Sequence, residues 1–253
     1  MTISRDQLVA MLDQELQPWR FKDYCPNGLQ VEGRSQVRKI ITGVTASQRF
    51  IDLALERQAD VLLVHHGFFW KNENPCITGI KKKRLQALLN ADVSLLVYHL
   101  PLDAHPQLGN NVQLARRLGL TIAGALDNTG QPPLALWAQL PEPLPASEWL
   151  RHVATVLGSP VRHFPGQDRR LQRVAWCTGA AQDWIEQAAA QQMDAYLSGE
   201  VSEPVVHWAE ETGVHYLAAG HHATERYGVQ AVGEWLQQQC GVEHEFIDCF
   251  VEV

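Results

Sequence analysis

An α/β architecture of two similar halves, each with a mixed or parallel sheet, is predicted by three features of the sequence. Continuous apolar runs alternate with amphipathic helical patterns. A strand–helix–strand block recurs 134 residues further on. Polar clusters interrupt the apolar runs at their C-terminal ends.

Residues 5–16 carry apolar side chains at helical spacing and predict an opening helix. Lys39-Ile40-Ile41-Thr42-Gly43-Val44 is β-rich and ends in small residues. Ser47 then caps a helix whose apolar face is Phe50, Ile51, Ala54 and Leu55. Asp60-Val61-Leu62-Leu63-Val64 is apolar throughout, as in a strand covered on both faces. Asn110 and Asn111 are placed to cap a helix that stops near Gly119. Residues 127–170 hold several prolines and glycines and a helix through Trp149, Leu150 and Val153. The passage between the halves is placed there, giving a first domain over 1–126 and a second over 127–253, with interleaving of the halves left open. Ser202-Glu203-Pro204 opens a helix with an acidic first turn and an early proline, ending at Gly213. Val229, Val232, Trp235 and Leu236 mark the last helix, closed by Gly241.

The first strand–helix–strand block is met again from Val174-Ala175-Trp176-Cys177-Thr178-Gly179. At an offset of 134, Ala46 falls on Ala180, Gln48 on Gln182, Ile51 on Ile185, Ala54 on Ala188, Gln58 on Gln192, Asp60 on Asp194 and Leu63 on Leu197. A second block is matched at an offset of 122, placing Leu95-Leu96-Val97-Tyr98-His99 on Leu217-Ala218-Ala219-Gly220-His221 and Asp103 on Glu225. The change of offset implies a connection about 12 residues shorter in the second half, a length change that loops tolerate.

Composition removes several classes. With 45% hydrophobic and 19% charged residues the chain is globular rather than disordered. No apolar run is long enough to span a bilayer, and the N-terminal stretch lacks a signal peptide's apolar segment. Five scattered cysteines never spaced as Cys-x-x-Cys argue against a disulfide framework and a thiolate zinc site, so a cytoplasmic location is expected. The net charge of −7 makes nucleic acid a poor partner, and the one basic run, Lys81-Lys82-Lys83-Arg84, reads as a solvated helix face or, as the alternative, a local phosphate attractor near a cleft. No Gly-x-x-x-x-Gly-Lys-Ser/Thr, Gly-x-Gly-x-x-Gly or Gly-x-Ser-x-Gly is present.

Three polar clusters remain: His65-His66, the stretch from His99 to His105 that includes Asp103, and His221-His222-Ala223-Thr224-Glu225. Each follows a predicted strand, at the edge where open α/β sheets bind ligands. A lone buried histidine is ordinarily a hydrogen-bonded core residue, but three clusters at equivalent topological positions favour metal ligation. Imidazole and carboxylate suit Zn, Mn, Fe or Ni. Adjacent histidines on an extended segment point opposite ways, so His65 and His66 are expected to serve two metals, or one metal and its surroundings.

At these residues the chain resembles the YbgI-like family, also called GTP cyclohydrolase I type 2 homologues. The resemblance runs almost end to end. It covers Asp23–Gly33, Thr42–Ser47, Val64-His65-His66-Gly67-Phe68-Phe69-Trp70, His99–Pro106, Gly109-Asn110-Asn111, Gly199–Glu203 and Ala219–Arg226. It implies two similar α/β domains, two divalent metal ions in a cleft between them, and a homohexameric ring. The family's ligands fall on His65, His66, Asp103, His221 and Glu225. Many relatives read Thr-His-Thr-Asn-Leu-Asp where this chain has Tyr98-His99-Leu100-Pro101-Leu102-Asp103, so local substrate contacts are expected to differ. The chain is too short for the central domain that larger relatives insert.

The leading expectation is a metal-dependent hydrolase acting on a small, nucleotide-like substrate, with Glu200 and His99 as candidates for catalytic proton transfer. Glu200 could equally cap the helix that starts at Ser202. His105 and His222 are candidates to touch substrate or orient ligands, and Trp70 to stack a base. The alternatives are a non-enzymatic metal-binding scaffold and an iron-dependent oxidase.

Overall fold

In the computed structural model, which describes residues 1–126 and 132–252, the apolar runs become the inner strands of two sheets. One unit is Met1–Leu108 with Gly228–Cys249; the other is Gly109–Tyr227 with the residues from Phe250 on. Among the described residues no helix is long and apolar enough to cross a membrane.

The first unit opens with a two-residue strand, β1 (Ile3–Ser4), paired antiparallel with β3 (Gln36–Val37). Ser4 and Gln7 form a capping box that starts α1 (Arg5–Leu16) at the predicted residue. The main sheet has the order β13 (Glu243–Phe246), β4 (Lys39–Thr45), β5 (Val61–His66), β6 (Ser94–Val97), β2 (Gly28–Val31). The first four strands are parallel and β2 is antiparallel to β6. Ser47 caps α2 (Gln48–Glu56), accepting from the Phe50 N–H. The apolar run of β5 is explained by its two covered faces. Leu62 and Val64 pack with Phe50, Ile51 and Leu88 of α2 and α3 (Gly79–Ala91). Val61 and Leu63 pack with Leu8 and Leu12 of α1 and with Val229, Val232 and Leu236. After β6 comes the five-residue α4 (Leu100–Ala104).

The second unit begins with α5 (Asn110–Arg117). Its sheet has the order β7 (Ile122–Ala125), β8 (Leu136–Leu144), β10 (Leu171–Trp176), β11 (Ala195–Ser198), β12 (His215–Ala218), β9 (Arg162–Phe164). The three strands β10, β11 and β12 are parallel, and the outer strands are antiparallel to their neighbours. Helices α6 (Ala146–Leu157), α7 (Ile185–Ala190) and α8 (Glu203–Thr212) complete it. As predicted, α8 starts after Ser202 and stops at Gly213, which is left-handed at φ 78°. The last helix, α9 (His221–Cys240), has residues 221–227 in the second unit and 228–240 in the first.

The internal repeat is borne by register as well as residue identity. Ile40 pairs with Val61 in the first unit, and Val174 pairs with Ala195 in the second, both at the offset of 134. Asp60 accepts from the backbone N–H groups of Arg38 and Lys39, and Asp194 from those of Gln172 and Arg173. Arg34 and Arg169 pair with these carboxylates. Gln58 and Gln192, two residues earlier, both have φ of 57°. For the third strand the register corrects the sequence match. Val61 lies opposite Ser94, and Ala195 opposite His215, so Ser94 corresponds to His215 and the offset is 121 rather than 122. Asp103 then corresponds to Thr224, one residue before Glu225. Matching leucines favour the offset of 122, whereas hydrogen-bonded pairing sets the true one.

Two further expectations change. The boundary placed between 126 and 127 adjoins residues 127–131, which lie outside the described residues. Leu114, Ala115 and Leu118 are buried with Leu136, Trp149 and Trp176, which joins the chain from Gly109 to the second unit. Asn110 and Asn111 do not cap α5, whose N-cap is Gly109. Instead Asn111 accepts from the Thr178 N–H through Oδ1 and from the Trp176 indole through its carbonyl.

Candidate metal centre

In the first unit the C-terminal ends of β5 and β6 gather three imidazoles. His65 is fully buried, and its Nδ1 lies 3.0 Å from the Tyr98 carbonyl. A carbonyl only accepts, so Nδ1 carries the proton and Nε2 offers its lone pair. That Nε2 is 3.5 Å from Oδ1 of Asp103, buried on α4. His66 ends β5 and its Nδ1 lies 3.2 Å from Oγ1 of Thr45. Contrary to the strand-alternation expectation, the rings of His65 and His66 are 4.5 Å apart. The His99 ring is 5.1 Å from His65 and 5.7 Å from His66. All three rings offer a nitrogen within 4.8 Å of the others.

His99 is held in a frame of four hydrogen bonds. Its Nδ1 is 2.6 Å from Oδ1 of Asp23, and its backbone N–H donates to Oδ1 of Asn27. The Leu100 N–H and the Asn27 amide donate to Oδ2 of Asp23. Burial opposes the charge on Asp23, but His99, Asn27 and Leu100 hold its carboxyl below the usual range. Cys25, with Asp23 and His99, also offers a ligand atom, yet burial and the Asp23 charge push its thiol up to about 12. The nitrogen and oxygen donors are therefore the better ligands.

In the second unit the ligand candidates lie on the first turn of α9. His221 Nε2 is 2.9 Å from Oε2 of Glu225, four residues on and buried. Its Nδ1 is 2.6 Å from Oε1 of Glu200. Burial disfavours the imidazolium, but Glu225 and Glu200 more than offset this and raise His221 to about 9. Glu200 thus engages His221 and does not cap α8, which has no side-chain cap. The loop beneath is braced at several points. Gly179 N–H donates to Thr224 Oγ1, Ser198 Oγ donates to the Gly179 carbonyl, and the Tyr216 hydroxyl donates to the Glu200 carbonyl. Gly179 has a φ of +71°, and a Cβ there would overlap Oε1 of Glu225 and stand 3.2 Å from His221 Nε2.

The other expected contributors make these contacts. His105 accepts the Gln107 and Leu108 N–H groups and faces Glu15. The His222 ring packs edge-on against Phe250. Trp70 stands 5.3 Å from His99 in a T-shaped contact. Sequence reasoning gave no role to Asp23, Gly179 or Thr224. All three sit inside recognisable motifs, but the partners of Asp23 and Gly179 are distant in sequence and leave no spacing signal.

The model of the family Duf34/NIF3 (NGG1p interacting factor 3) matches residues 3–251. The chain belongs to the DUF34/NIF3 family. Among the relatives of this DUF34/NIF3 protein is a Pseudomonas aeruginosa protein named GTP cyclohydrolase 1 type 2 homolog, 55% identical over 250 residues and 98% of each chain. The solved structure of protein ybgI, described as of unknown function, has a TM-score of 0.94 at 45% identity, covering 99% of this chain and 100% of that one. The structure of a Thermus thermophilus protein, TTHA1606, has a TM-score of 0.87 at 32% identity, again over 99% and 100%. The His, Asp and Glu clusters of this family member are groups suited to holding metal.

Proposed function

We propose that this DUF34/NIF3 protein is a metal-dependent hydrolase of a small, nucleotide-like substrate. Its ligands to two divalent cations are His65, His66 and Asp103 of the first unit and His221 and Glu225 of the second. One observation carries the reading: His65, His66 and His99 offer nitrogens within 4.8 Å of one another at the ends of parallel strands. Imidazoles so crowded repel one another when protonated, and a cation held by His65 and His66 turns the arrangement into a binding site with His99 beside it. The donor set fits. His65 is oriented by the Tyr98 carbonyl and His221 by Glu200, the outer hydrogen bonds that ligating histidines ordinarily make.

Bound there, the cations would supply Lewis acidity towards a substrate oxygen and would acidify water near neutral pH. The protein's own groups do the rest. Asp23 fixes the Nδ1–H tautomer of His99, leaving its Nε2 to accept or return a proton. Glu200 holds His221 in place. The name of the Pseudomonas aeruginosa relative supports a purine nucleotide as the first substrate to try.

Metal-loaded protein incubated with GTP and related nucleotides, beside a His65→Ala control, tests the reaction. Turnover in the parent and not the control is expected; equal rates remove the hydrolase reading. Elemental analysis of protein purified from its own host tests the centre and separates iron from zinc, manganese or nickel. Material that is metal-free and indifferent to added divalent ions overturns it. Family resemblance supports self-association as a homohexameric ring, and a light-scattering mass of one 28.4 kDa chain would contradict that. The described cysteines are all free, which supports a reducing, cytoplasmic compartment.

A further inference from the structure

The first unit holds a cavity of about 520 Å³ beside the imidazole cluster, a volume in the usual range for small-ligand sites. Its walls are two loops, one around Tyr24 and one over residues 69–75. Three aromatic side chains, Tyr24, Phe69 and Trp70, line it together with Lys71, Glu73 and Lys81. The loops are tied to each other, because the Lys71 N–H donates to the Tyr24 carbonyl at 2.7 Å. The second loop is braced by the chain that follows it into α3. The Cys76 N–H donates to Oδ1 of Asn74, and Nζ of Lys81 donates to the Asn74 carbonyl.

The aromatic wall reaches the reaction centre. Trp70 lies 5.3 Å from the His99 ring and 6.0 Å from His66, and Tyr24 lies 6.2 Å from His99. Tyr24 is 64% exposed, an aromatic ring left on the rim rather than packed in the core. Alone, an exposed aromatic needs no explanation. Here it accompanies two more aromatic rings and two ammonium groups. Lys81 stands 5.3 Å over the Phe69 ring, while Lys71 is exposed at the mouth. In a chain of net charge −7, Lys71 and Lys81 thus bring two positive charges to this rim. Glu73 lies 3.7 Å from Lys81, so an incoming anion competes with one exposed carboxylate.

We propose that this cavity is the recognition subsite for a planar aromatic anion. The aromatic rings stack its ring system, Lys71 and Lys81 meet its acidic group, and the edge against Trp70 presents it to His99. This rests on reading the His65–His66–His99 cluster as the reaction centre, and it adds the chemical class of what is brought there.

Calorimetric titration of the metal-loaded full chain tests it with guanosine 5′-monophosphate, guanosine, ribose 5-phosphate and indole-3-acetate. The nucleotide is expected to bind more tightly than guanosine or ribose 5-phosphate, each of which lacks one recognised part. Trp70→Ala should weaken it about fivefold or more, the loss typical of removing a stacking partner. Trp70→Phe should keep most of the affinity, and Lys71→Glu should weaken the nucleotide while sparing guanosine. Tighter binding of indole-3-acetate than of the nucleotide would support the aromatic anion and make it a non-nucleotide acid. If neither anion binds, or if Trp70→Ala and Lys71→Glu both bind like the parent, the proposal is overturned. Bound metal measured in the same samples keeps the two readings apart. Loss of metal in the parent indicts the centre, whereas intact metal without ligand binding indicts only the subsite.

Discussion

Oδ1 of Asp23 lies 2.6 Å from Nδ1 of His99, while Oδ2 of the same carboxylate accepts the Leu100 N–H and the Asn27 amide. A single buried side chain therefore sets both the ring and the backbone of His99. Asp23→Asn keeps the shape but removes the charge, and its amide conflicts with a site built from donors. It is expected to cost about 1.5–3 kcal/mol of stability, the worth of hydrogen bonds to a charged group. Denaturant unfolding reads the stability. The ¹⁵N shifts of His99 read the tautomer, which should be Nδ1–H in the parent and mixed in the variant. An unchanged tautomer would remove Asp23 as the positioning residue.

Gly179 makes a second prediction. Gly179→Ala places a methyl group on Glu225 and also strains a backbone at φ +71°. Gly158 is the control, since it is left-handed at φ +61° but a Cβ there meets nothing within 4 Å. Both substitutions should lower stability by about 1–2 kcal/mol through the backbone alone. Only Gly179→Ala should also lower bound metal in elemental analysis. Equal metal in the two variants would show that Glu225 is not a ligand.

Proton release is the third. In the metal-free protein His221 is raised to about 9, so it is charged at neutral pH and donates to both carboxylates. A ligand must give up that proton. Calorimetry in buffers of different ionisation heat should show about one proton released per His221 at pH 7.5, and affinity should rise about tenfold per pH unit up to about 9. The linkage for folding has the matching sign. The pairing stabilises the metal-free protein fully below the ordinary histidine pKa and is lost as pH rises through about 9. Affinity independent of pH would count against His221 as a ligand.

Acid acts on three histidines away from the centre. Burial lowers His105, His163 and His244, the first against Glu15 and the last against Glu245, with the His215 ring adding to the effect at His163. A histidine lowered by folding contributes stability that is complete above its unfolded pKa, near 6.5, and lost as pH falls through the folded value. The His163 pair shows why. Nε2 of His215 faces the Gln167 carbonyl, so its Nδ1 accepts from His163 Nε2 at 3.0 Å. A proton added to His163 goes to its other nitrogen and leaves this bond in place, so the cost is that of a buried charge beside the His215 ring. Thermal melting from pH 7.5 to 5.0 should show a falling midpoint. His163→Gln, which can still donate, should reduce that slope, and a slope identical to the parent's would refute the assignment.

What could be read without a structure was whatever a few neighbouring residues decide. Ser47 capping α2, Gly213 ending α8 and the doubly covered run of β5 are local consequences of hydrogen-bonding side chains, positive φ and burial. The match of Asp60 with Asp194 was legible because each braces the start of its own strand at a fixed distance along the chain. The tertiary structure decided the rest. It alone closes His65 onto His66, gives Glu200 to His221 instead of to a helix cap, lends Asn111 to Thr178, and shows that Asp103 corresponds to Thr224. Those outcomes depend on strand register and on side chains meeting across long loops, where the free energy lies in packing and directed hydrogen bonds that residue spacing does not encode.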